Sequence, residues 1–81
     1  MRYDYAMFTP AGNREVHKIV ETVQDSKLHN EAAWKLAYNE LDILSQREGF
    51  EEAMDTDVRD HVYCALQRLK IIDDYETDFY I

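Results

Sequence analysis

The chain has one cysteine, Cys64, so no disulfide closes within it and the pattern of a cross-linked secreted scaffold is missing. No apolar run approaches the roughly 20 residues of a membrane-spanning helix, and no signal-peptide pattern opens the sequence. One proline and two glycines leave few natural breaks, which argues for long regular elements joined by short connections. Basic residues are scarce as well. Nine Lys and Arg against seventeen Asp and Glu give a net charge of −8, a poor match for nucleic-acid phosphates or an anionic membrane. These absences leave a soluble cytoplasmic protein with no direct hold on nucleic acid or membrane.

What is present is helical periodicity. Eighty-one residues make one small domain, 1–81. The spacing predicts an all-α fold, a small three-helix bundle with helices over about 10–27, 31–48 and 56–71. A short extended segment over 1–8 precedes the bundle and an acidic tail follows it. In the first helix Thr9-Pro10 reads as cap and first position, and Val16, Ile19, Val20 and Val23 form a stripe. The central helix is expected to take Asn30 as its N-cap and Gly49 as its left-handed stop. At 100° per residue, Ala33, Trp34, Ala37, Tyr38, Leu41 and Leu44 share its broad face. Ala32, Leu36 and Ile43 gather on nearly the opposite side. Phe50 and Met54 are expected beneath the bundle, with Asp55 or Thr56 capping the third helix. Its stripe is Val58, Val62, Ala65, Leu66, Leu69 and Ile72.

Candidate chemistry is thin. His17 and Glu21 lie one turn apart, as do Asp57 and His61, but no third ligand closes a metal site. The run from Asp55 to Asp60 lacks the glycine and the closing glutamate of a calcium loop, and helix capping explains its acids better. Cys64 has no cationic sequence neighbour to lower its pKa and is expected to be a partly buried structural thiol. No phosphate-binding glycine loop, no CxxC and no nucleophile elbow occurs. The expectation is a protein that is not an enzyme and needs no cofactor or metal.

The strongest signal is the placement of charge. Residues 1–29 carry four acids and four bases, whereas residues 30–81 carry thirteen acids and five bases. Six of those acids lie in residues 48–60. The expected contact set for a partner is Glu48, Glu51, Glu52, Asp55, Asp57 and Asp60 for electrostatic steering, with Phe50, Tyr75 and Tyr80 as apolar anchors. Tyr3, Tyr5, Tyr63, Tyr75 and Tyr80 are too many for a small bundle to bury, which favours a surface that meets another protein. The partner so implied is a protein with a basic, nucleic-acid-binding surface. In being short, acidic, tyrosine-rich and bare of catalytic motifs, the chain resembles phage-encoded inhibitors of host machinery, anti-CRISPR proteins among them. That likeness is one of composition, and it implies an inhibitor or adaptor without assigning a role to any residue. Two other function classes remain open. One is a homodimeric structural or regulatory protein using Ala32, Leu36 and Ile43 as its dimer face. The other is a metal- or small-ligand-binding protein built on the acid–histidine pairs.

Overall fold

Thr9 opens the first helix by accepting the Gly12 N–H on its hydroxyl at 3.2 Å, and Pro10 stands at the first position, where a missing N–H is harmless. This computed structural model describes residues 9–73. Helix α1 spans Pro10–Ser26, α2 spans Asn30–Ser45, a 3₁₀ turn covers Glu51–Met54, and α3 spans Thr56–Arg68. The described residues are therefore an all-helical three-helix bundle, as the periodicity predicts. The extended segment expected over 1–8 and the tail over 74–81 lie outside them.

Three residues link α1 to α2, and the two helices form an antiparallel hairpin. Arg47, just past the end of α2, reaches Glu15 near the start of α1 at 3.2 Å. Each helix contributes one stripe to a single core. Val16, Ile19, Val20 and Val23 come from α1, and Ala33, Trp34, Ala37, Leu41 and Leu44 from α2. Ala53 of the 3₁₀ turn joins Val58, Val62, Tyr63 and Leu66 of α3, with Ile71 and Ile72 beyond it. Ala33 and Ala37 are fully buried one turn apart, which gives Trp34 room between the helices. The Trp34 ring stands edge-on to Tyr63 at 5.2 Å and to Tyr38 at 6.2 Å. Phe50 and Met54 are partly buried and pack against the core from below, as expected.

Several local expectations need correction. His29, not Asn30, holds the N-cap position of α2, and its side chain makes no capping bond. Asn30 has φ +51 and turns its side chain to Asp73, accepting the Asp73 N–H at 2.9 Å and donating to its carboxylate at 3.4 Å. Its own N–H donates to the Ile71 carbonyl at 3.0 Å. Helix α2 stops at Ser45, three residues short of the expected end. The Ser45 hydroxyl bonds back to the Asp42 carbonyl at 2.6 Å, and the next N–H groups tighten into three-residue turns. Gly49 does adopt a left-handed φ of +93, but in the loop after the helix rather than at its end. Asp55 takes the cap position of α3 without a side-chain capping bond.

Helix α3 also stops early, at Arg68. The Ile71 N–H returns to the Leu66 carbonyl at 2.9 Å and the Lys70 N–H to the Gln67 carbonyl at 3.0 Å, with Lys70 at φ +63. That pair of bonds is a Schellman stop, which usually carries glycine where Lys70 stands. Lys27 ends α1 with the same left-handed backbone, φ +65. With so few glycines in the chain, two lysines carry the helix stops, at roughly 1 kcal/mol of backbone strain each.

Candidate functional site

The acidic segment wraps one end of the bundle. The loop after α2, the 3₁₀ turn, the cap residue Asp55 and the first five residues of α3 place Glu48, Glu51, Glu52, Asp55, Asp57 and Asp60 there. Glu52 is half-buried and the other five are exposed. The nearest cations in sequence are Arg59, inside the segment, and Arg47, just before it. Arg59 donates from Nε to the Met54 carbonyl at 3.0 Å and from Nη2 to the Thr56 hydroxyl at 3.1 Å. Arg47 is bound to Glu15 and lies over the Phe50 ring, 4.9 Å from its centroid. Glu15, Glu21 and Glu31 of α1 and α2 each take part in an ion pair.

Part of this charge has a local job. Asp57 lies in the first turn of α3, where the helix dipole favours an anion. Glu51 accepts the Gly49 N–H at 3.1 Å. Its own backbone N–H, and then that of Gly49, hold its carboxyl below the usual value. Glu48, Asp55 and Asp60 show no comparable structural bond from their carboxylates among the described residues.

The aromatic half of the expected contact set is divided. Phe50 is half-buried between the core and Arg47, so only part of its ring faces out. Tyr75 and Tyr80 fall outside the described residues, as do Tyr3 and Tyr5. Tyr63, expected at the surface, is only 6% exposed. The buried face of α3 is rotated towards it by roughly 50° from the expected stripe, because Trp34 needs a large partner across the core. The same rotation leaves Leu69 outside the core, 45% exposed. Cys64 is exposed rather than partly buried. Among the described residues, the tyrosine that meets solvent is Tyr38, at 40%. On the other side of α2, Ala32 and Ile43 are exposed, while Leu36 packs partly against the core.

His17 and Glu21 pair at 3.2 Å on the exposed side of α1, and among the described residues no three His, Cys, Asp or Glu side chains come together as a metal site. His61 is half-buried. Desolvation first, and the Arg68 charge second, hold its pKa below 6.5. Protonation therefore favours the unfolded chain. The stability tied to neutral His61 is complete above about pH 6.5 and is lost as pH falls below it, until the folded-state pKa is passed. Melting temperature should drop between about pH 7 and pH 5.5, and the drop should shrink in His61→Gln. An equal drop in both proteins would assign it to other groups.

No helix among the described residues is long and apolar enough to cross a membrane. No protein-family model, curated protein sequence or solved structure matches this chain. Any functional reading therefore rests on the residues themselves.

Proposed function

We propose that the protein works by binding another protein. Its acidic end covers a basic surface of the partner, as an inhibitor or adaptor in the manner of phage-encoded anti-defence proteins. The observation that supports this reading is the excess of negative charge at that end: six carboxylates lie in residues 48–60 against Arg59, and those of Glu48, Asp55 and Asp60 make no structural bond to any described residue, while Arg47 is paired with Glu15. A face built only for solubility would gain from local ion pairs, as Glu15, Glu21 and Glu31 of α1 and α2 do. Unpaired surface carboxylates instead project a field that steers a cationic partner and speeds encounter. A basic patch on that partner would often serve nucleic acid, so occupying it would be competitive.

The test is capture of the partner by the whole protein at graded salt. Exposed charges separated by more than the Debye length, about 8 Å at physiological salt and 3 Å at 1 M, cease to matter. Capture should weaken steeply between about 0.05 and 0.5 M salt. The triple variant Asp55→Asn, Asp57→Asn, Asp60→Asn should slow association by about tenfold or more at low salt while the fold persists. Binding that is indifferent both to 1 M salt and to the triple variant would defeat the reading.

A further inference from the structure

We propose that the groove between α1 and α3 is a binding site for a small carboxylate with an apolar body, the size of a medium-chain fatty acid or an aryl acid. The groove is half-open to solvent and offers about 330 Å³, at the small end of the range for small-molecule pockets. Val16, Val20 and Ala65 make its floor and Leu69 its apolar rim. Leu69, at 45% exposed, is a large apolar side chain left out of the core, and the groove is where it faces. The titratable residues lining the groove are His17, His61 and Arg68, and no acid lines it. In a chain of net charge −8 that is a local reversal of sign.

The three bases are not equal. His17 is already engaged by Glu21 at 3.2 Å. Arg68 forms no ion pair with any described residue, so its guanidinium is the natural seat for a carboxylate. His61 sits beside it, half-buried, facing Arg68 on its own helix and His17 across the groove, with Asp57 one turn before it. A bound carboxylate would offset the repulsion that Arg68 exerts on a protonated His61, so binding should take up a proton and strengthen as pH falls. An apolar chain lying along Val16, Val20 and Leu69 supplies the burial that a bare anion lacks. The groove begins one turn beyond Asp57 of the acidic end, and its lining residues are not those of the proposed partner contact.

Octanoate, 1-octanol and octylammonium present one apolar body with three head groups. Titrated into the full chain and followed by amide chemical shifts, octanoate should shift residues 13–20 and 61–69 and saturate at about millimolar concentration. Octylammonium should leave them unmoved. Arg68→Gln should weaken octanoate by about tenfold. Leu69→Glu should abolish binding, and both side chains are exposed enough for the fold to survive the change. Octanoate should bind more tightly at pH 5.5 than at pH 7.5, and His61→Gln should flatten that difference. The proposal falls if octylammonium or octanol gives the same saturating shifts, if Arg68→Gln binds as the parent does, or if nothing saturates by about ten millimolar. It falls equally if octanoate binds only after Asp74→Asn, Glu76→Gln and Asp78→Asn are made together, because the groove would then belong to the chain's own acidic segment.

Discussion

Trp34→Ala should remove about 3–5 kcal/mol, a large share of the whole stability of the protein. The indole is 3% exposed and fills the space between α2 and α3, edge-on to Tyr63 at 5.2 Å. Truncating a buried tryptophan typically costs about 3–5 kcal/mol, and the lost aromatic contact falls within that cost. A chain of 81 residues has roughly 4–12 kcal/mol in all, so one substitution removes a large share of it. Ala33 and Ala37 flank the site and have no side-chain reach to collapse into the hole. Far-ultraviolet circular dichroism with a denaturant titration measures the effect. Tyr38→Ala is the control: at 40% exposed, and with its ring 6.2 Å from the indole, it should cost about 1 kcal/mol. Equal losses from the two changes would mean that Trp34 is not the keystone of this core.

The sequence displays the helices and their main stripes because periodicity is a local property. Val16, Ile19, Val20 and Val23 recur at helical spacing and are buried as a set. What the spacing does not carry is rotation about the helix axis. Leu69 lies within the expected α3 stripe and Tyr63 beside it, yet Tyr63 enters the core, where it meets Trp34 from another helix. Helix ends are hidden for a different reason. The usual sign of a stop is glycine, and here lysines take the left-handed positions at 27 and 70. Asn30 misleads in the same way. Its side chain is chemically suited to capping but is held by Asp73, forty-three residues away in the chain.

The acidic end was legible as composition, since Glu48, Asp55 and Asp60 need no tertiary information to be counted. That its arginines are tied up is not. The bonds of Arg47 to Glu15 and of Arg59 to the Met54 carbonyl exist only once the hairpin and the 3₁₀ turn have formed. The groove beside Arg68 was equally invisible, because it takes the parallel approach of α1 and α3 to bring His17 near His61.

Ile72→Ala should cost about 2–5 kcal/mol, as much as a residue inside a helix, although it lies four positions past the end of α3. Ile72 is fully buried because the stop at Lys70 turns the chain back over the core, with the Ile71 and Ile72 N–H groups both directed at the Leu66 carbonyl. Asn30 fastens this reversal from the far side through Ile71 and Asp73. Asn30→Ala should cost about 1–3 kcal/mol, part from the lost hydrogen bonds and part from forcing alanine to φ +51, and Asn30→Gly should recover the second part. The two sites act on one segment, so their effects should not add. Once Ile72 no longer anchors the reversal, the partners of Asn30 loosen and little is left for its removal to undo. A double-mutant cycle by denaturant unfolding should therefore show a coupling of about 1 kcal/mol or more. Additivity to within about 0.5 kcal/mol would mean that the hook and the clasp hold independently.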